Sequence, residues 1–203
     1  LQECNSSGQK TIVDALSDFY GSAVGYIDGT TTKAYTPILY RKDKLKLIES
    51  GAVFFEKRYT GTNTKTMSWA VFEEIETGKK FAVLNAHYAL IAASYNLGSM
   101  TNAVEGAQWR EDNSRQMLEK AAELKNKYNG TLPVMLMGDL NSNRNSKSIQ
   151  MLEDVYDDSM NVATVSKTTG MASYHSKPGQ VPKAGMPIDF IFVDSALINV
   201  YRH

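Results

Sequence analysis

Residues 133–141 read Pro-Val-Met-Leu-Met-Gly-Asp-Leu-Asn, a short continuous apolar run that ends on Gly138-Asp139-Leu140-Asn141. An apolar run of this length, opened by proline and closed by glycine, predicts a buried central strand over 133–138. Upstream, residues 80–88 (KFAVLNAHY) alternate with a period of two. That places Phe81, Val83, Asn85 and His87 on one face and Ala82, Leu84, Ala86 and Tyr88 on the other. Between the two runs lies a helix, expected at about 102–128, with Met117, Leu118, Ala121, Leu124 and Tyr128 against many charges and Gly130 as its stop. Further strands are expected at 36–41, 44–49, 66–76, 187–193 and 196–201, with a hairpin turn at Thr77-Gly78. A first helix is expected at 9–20, capped by Ser7 and stopped by Gly21, and one or two helical turns at 146–152. Segments 57–65 and 166–185 read as loops. The sum is one mixed α/β domain over 1–203, most simply two sheets face to face with helices outside.

Composition agrees and excludes several classes. The 203 residues suffice for one sizeable core. Lys plus Arg and Asp plus Glu are 22 each, so neither a strongly basic nucleic-acid binder nor an acidic tail is indicated. No apolar run approaches the roughly 20 residues that span a bilayer. A single cysteine, Cys4, excludes an internal disulfide and a multi-cysteine metal site. The chain opens Leu1-Gln2-Glu3-Cys4 without methionine, and it is expected to be a segment of something longer.

The residues suited to chemistry are few. Asp139 and Asn141 are two apart, so in extended backbone they offer a carboxylate and an amide to one ligand; Gly, Asp and Asn also crowd ordinary turns. His87 ends its strand with Asn85 on the same face, where a lone histidine is more often a packed or solvated residue than a catalyst. Asp189 lies inside Ile-Asp-Phe-Ile-Phe-Val, where an ionised carboxylate is costly unless it caps backbone amides or orients a partner such as histidine. Glu3 precedes a helix and by itself is no more than a terminal charge. Arg41 reads as a structural ion pair, and Lys42, Lys44 and Lys46 as a solvated edge.

Taken in order, Leu-Gln-Glu at 1–3, Asn-Ala-His at 85–87, Gly-Asp-Leu-Asn at 138–141 and Ile-Asp-Phe-Ile-Phe at 188–192 resemble the endonuclease/exonuclease/phosphatase superfamily. The stretches Pro37-Ile-Leu-Tyr-Arg41, Ser68-Trp-Ala70 and Trp109-Arg110 extend the similarity over nearly the whole chain. The resemblance implies a four-layered α/β sandwich, two mostly antiparallel sheets packed face to face with helices outside. It also implies hydrolysis of a phosphoester or phosphodiester with Mg²⁺, or Mn²⁺ in its place. By the same resemblance Glu3 would hold the metal and Asp139 would orient or deprotonate the attacking water. Asn141 would position water and phosphate, His87 would donate to a phosphate oxygen, and Asp189 would hold a second histidine.

The chain also departs from the family pattern. The closing Ser-Asp-His motif and the opening asparagine strand are not in it, so terminal strands are expected to be lacking and both ends trimmed. Ala34 stands where many relatives have glutamate, and Ala-His-Tyr replaces the common Thr-His-Leu. A sandwich retained as a binding module without catalysis is therefore the competing expectation. The expected partner is a phosphate ester of open class, with nucleic acid not favoured by the zero net charge. The chain is expected to be a monomer. The loop 166–185, with Tyr174-His175, would border the site.

Overall fold

The computed structural model describes residues 1–4, 6–24, 36–55, 65–89, 103–166, 172–173 and 187–203. In chain order the elements are α1 (Ser6–Leu16), β1 (Tyr20–Val24), β2 (Ile38–Arg41), β3 (Leu45–Phe54), β4 (Thr66–Glu74) and β5 (Lys80–His87). They continue with α2 (Ala103–Lys127), β6 (Val134–Asp139), α3 (Lys147–Glu153), β7 (Asp157–Asp158), α4 (Ser159–Val162) and β8 (Asp189–Val193). Strands β3 to β8 form one six-stranded mixed sheet in the order β3-β4-β5-β6-β8-β7, while β1 and β2 make a separate two-stranded sheet. Every pairing is antiparallel except β5 with β6. A parallel pair needs a long return connection, and α2 is in that connection.

The period-two reading of β5 holds. Ala82, Leu84, Ala86 and Tyr88 join Val134, Leu136 and Phe192 in the core under α2 and α3. Phe81 and Val83 face the other way, with Met135 and Met137 of β6, against Ile38, Ala23 and Tyr40 of the small sheet. Fully burying a side chain such as Leu84, Leu136 or Phe192 contributes roughly 1.5–3 kcal/mol each. On α2 the buried positions Arg110, Asn113, Ser114, Met117, Ala121 and Leu124 recur every three or four residues, as an amphipathic helix requires. Its end is built as expected: Gly130 has φ +75°, and its N–H reaches back to the Lys125 carbonyl at 2.8 Å.

The small β1–β2 sheet packs through Ala23, Ile38 and Tyr40 on one face of the large one. Several elements differ from expectation, and β3 runs on to Phe54 rather than stopping at 49. The first helix ends at Leu16 rather than at 20, and Tyr20 starts β1 opposite Arg41. The hydroxyl of Ser17 bonds the Asp14 carbonyl at 2.9 Å and closes the helix there, so the helical spacing of Phe19 and Tyr20 was coincidental. Gly21 is no helix stop but a packing position, since a Cβ there would sit 2.5 Å from the Tyr40 ring. At the other end, 196–201 is not a strand. The Asp194 carbonyl accepts from Leu197 and Ile198 N–H, turning the chain, and only a single bridge joins Arg202 to Val165. The short β7 and α4 carried no periodic signal.

Gly138 has the tightest surroundings of these. Its φ is +140°, and a Cβ would lie 1.9 Å from the Ala86 carbonyl oxygen of the neighbouring strand. Gly138→Ala is therefore expected to lower stability by about 3 kcal/mol or more. A chemical denaturation midpoint equal to that of the unsubstituted protein would show that the β5–β6 approach is looser than this.

Candidate active site

Register brings the site together. His87 is paired with Asp139, and Asp139 with Asp189, so the three stand abreast at the ends of three adjacent strands. Alternation places all three on the face turned away from α2. His87 is buried, Asp139 half-buried and Asp189 exposed. The last point corrects the expectation for Asp189: it shares the open face with Ile191, which is 40% exposed, while Phe190 and Phe192 fill the core. No histidine is bonded to it among the described residues. Its partner is Ser173, whose hydroxyl accepts from the Ile188 and Asp189 amides at 2.9 and 3.1 Å and also holds the carboxylate.

Glu3 arrives from the other end of the chain by way of Asn85. The Asn85 amide donates to the Leu1 carbonyl at 3.0 Å, and its oxygen accepts from Gln2 Nε2 at 2.6 Å. This strap sets Glu3 Oε1 at 3.9 Å from His87 Nε2, with Asp139 Oδ2 at 3.6 Å from the same nitrogen. Glu3 itself adopts φ 50° and remains three-quarters exposed. Asn141 is also in the site, though not by extended backbone. Its φ is 45°, its N–H bonds Asp139 Oδ1 at 3.0 Å, and its side-chain amide donates to the Tyr88 carbonyl at 3.0 Å. Asp139 and Asn141 are thus joined in one turn, with both side chains at the end of β6.

Lys65 was not among the expected residues. It precedes β4, is 7% exposed, and its Nζ lies 2.6 Å from His87 Nε2. Its only signal in the sequence was a position beside a strand, in a stretch read as a loop.

The electrostatics follow from burial. Desolvation, reinforced by the Lys65 charge, lowers His87 to about 3, which keeps its ring neutral. Lys65 is lowered to about 8 by desolvation, with Asp139 and Glu3 resisting, and so keeps its proton at neutral pH. An ammonium has only donors, so Lys65 donates and His87 Nε2 accepts. Asp139 is raised to about 6, first by desolvation and then, against the pull of the Asn141 amide and Lys65, by Asp189 and Glu3. Desolvation also raises Asp189, with the Ser173 hydroxyl opposing. A carboxylate tuned near 6 is suited to taking a proton from water at neutral pH.

Among the described residues, no group of three His, Cys, Asp or Glu side chains is arranged to hold a metal ion. The donor set nevertheless fits a hard cation of the Mg²⁺ kind, which keeps most of its waters and takes one or two carboxylates. Glu3, Asp139 and Asp189 together carry more negative charge than Lys65 offsets, and the raised Asp139 in part records that surplus. Behind the row, on the same face, a cavity of about 560 Å³ is lined by Asn85, Met137, Asp189 and Ile191, with Arg144 and Met160 on its wall. Ala34, Tyr174 and His175 lie outside the described residues. Arg41 is the expected ion pair, bonded to Asp43 at 2.6 and 2.8 Å, and Lys42, Lys44 and Lys46 are exposed. No helix among the described residues is long and apolar enough to cross a membrane.

No protein-family model matches the chain, and no curated protein matches it significantly. Solved structures do. An endonuclease/exonuclease/phosphatase family protein from Bacteroides thetaiotaomicron superposes with a TM-score of 0.76 at 24% identity, over 97% of this chain and 68% of that one. A mannosyl-6-phosphatase from the same organism gives 0.76 at 25% identity, over 99% and 72%. The human Nocturnin catalytic domain, solved with a bound sulfate, gives 0.60 at 13% identity, over 90% and 64%. The chain has the fold of the endonuclease/exonuclease/phosphatase proteins.

Proposed function

We propose that this protein hydrolyses a phosphoester by attack of water at phosphorus, with a divalent cation, Mg²⁺ or Mn²⁺, held through Glu3. The row of His87, Asp139 and Asp189 across three neighbouring strands, with Glu3 and Lys65 converging on His87, is the observation that carries this reading. When bound, the cation would neutralise charge that builds on the phosphate and leaving-group oxygens.

The protein's own residues divide the remaining work. Asp139, ionised above about pH 6, takes the proton from the attacking water. Asn141, fixed by its bonds to Asp139 and Tyr88, orients that water and the phosphate. Lys65 presents an ammonium to the non-bridging oxygens from a buried position, where a fixed charge acts more strongly than in water. His87, neutral and accepting through Nε2, holds the Lys65 ammonium in place beside Asp139 and Glu3. Asp189 keeps the open end of the row polar and is suited to orienting a histidine. The β1–β2 sheet is read as the described part of a second sheet, which would complete a four-layered sandwich.

The substrate reading is a small phosphate ester. One similar structure is a mannosyl-6-phosphatase, and the zero net charge lacks the cationic excess that a tight nucleic-acid binder draws on. The test is a panel of sugar phosphates, a generic phosphodiester, sphingomyelin and oligonucleotides, each with Mg²⁺ and with chelator. Turnover is expected with a sugar phosphate, and Glu3→Gln should raise the Mg²⁺ concentration for half-maximal rate roughly tenfold or more. An unchanged Mg²⁺ dependence in Glu3→Gln would remove Glu3 from the site.

A further inference from the structure

The loop that carries Asn141 is anchored from behind by a closed circuit of buried hydroxyls. Ser142 Oγ lies 2.8 Å from Ser148 Oγ at the start of α3. The Ser148 carbonyl accepts from Ser114 Oγ of α2 at 2.8 Å, and Ser114 Oγ is 3.2 Å from the Tyr88 hydroxyl. Tyr88 closes the circuit, because its own backbone carbonyl receives the Asn141 side-chain amide and its N–H donates to the Asp139 carbonyl at 2.9 Å. Ser114 and Tyr88 are 0% exposed, Ser148 is 2% and Ser142 is 3%.

Ser114 is a poor choice for packing alone. In mid-helix, alanine is the better helix former, and Ala121 two turns later fills an equally buried position on the same helix. A buried hydroxyl is tolerated because it is bonded, and here its bonds reach Tyr88, next to His87, and Ser148 of α3, whose hydroxyl meets Ser142 beside Asn141. We propose that Ser114 is a positioning residue, which sets Asn141 against the end of β5 by tying α3 and Tyr88 to one point on α2. The inference rests on the reading of Asn141 as the group that orients water and phosphate. It matters because a misplacement of about 1 Å by a change far from the chemistry can cost on the order of a hundredfold in rate.

The test uses Ser114→Ala and, from the opposite side of the same link, Tyr88→Phe. Three quantities are read: kcat and KM for the phosphoester that the unsubstituted protein hydrolyses, the Asn141 side-chain amide resonance in metal-free protein, and the melting temperature. The expected result for each variant is a fall in kcat of about tenfold or more. KM should stay within about twofold, and the Asn141 amide should be shifted or broadened. A lower melting temperature with kcat and the Asn141 resonance unmoved would overturn the proposal and leave Ser114 a structural hydroxyl. If the unsubstituted protein turns over no phosphoester, the functional reading fails separately. The Asn141 resonance then still decides whether Ser114 positions it.

Discussion

Asp139→Asn is expected to lower kcat by about a thousandfold, the usual scale for loss of a positioned general base, and at pH 7 to raise the stability of the protein. The two effects have one origin. Asp139 titrates near 6 in the folded protein, against 3.8 for an unperturbed aspartate. Between those values the folded state holds the proton more tightly than the unfolded chain, so stability falls as pH rises from about 4 to about 6 and stays low above. At pH 7 the ionised group costs on the order of 1–3 kcal/mol, which asparagine removes while keeping an oxygen for the Asn141 N–H. At pH 4 the gain should nearly vanish. Denaturant titrations at the two pH values check this directly. A variant less stable than the parent at pH 7 would mean that Asp139 serves chiefly as the cap of its turn.

Lys65→Met should be the next largest in effect. Methionine keeps most of the buried volume and removes the ammonium beside His87. Turnover is expected to fall by about a hundredfold, the scale for removing one preorganised charge-stabilising donor. A second readout does not depend on turnover. His87 is held low first by desolvation and then by the Lys65 charge, so its titration midpoint should move up from about 3 while remaining below the ordinary 6.5. Proton resonances of the His87 ring, followed from pH 2.5 to 8, report it. An unmoved midpoint would show that the two groups are not neighbours in solution.

How far the site could be seen in advance depended on the range of the interaction. His87, Asp139 and the faces of β5 were visible because a two-residue period is local, and one strand's pattern states which side chains share a side. The abreast arrangement with Asp189 was not visible, since it needs the β6–β8 register, and no periodicity inside either strand encodes it. Burial of Asp189 was misjudged for the same reason: apolar neighbours in sequence, Phe190 and Phe192, turn to the opposite face. Glu3 reaches the site across more than eighty residues, through the bonds from Asn85 to Leu1 and Gln2, for which the sequence carries no local signal. Lys65 stood in a stretch rich in Thr, Gly and Lys, whose composition says loop even where the last residue is buried. The ends of the chain show the converse error. Helical spacing continued through Phe19 and Tyr20 by chance, and a bond from Ser17 to Asp14 overruled it.

Whether the protein is a metal-dependent phosphoesterase is decided by a Mg²⁺ titration of sugar-phosphate and phosphodiester hydrolysis, run beside Asp139→Asn and Glu3→Gln. Turnover should rise with Mg²⁺ and vanish with chelator. Asp139→Asn should lose nearly all of it, and Glu3→Gln should displace the curve to higher metal concentration. Folded protein that hydrolyses none of the panel at saturating Mg²⁺ or Mn²⁺, yet binds a phosphate ester, would contradict the proposed function and make the protein a binding module. Turnover that Asp139→Asn leaves intact would contradict it as plainly, by placing the chemistry elsewhere.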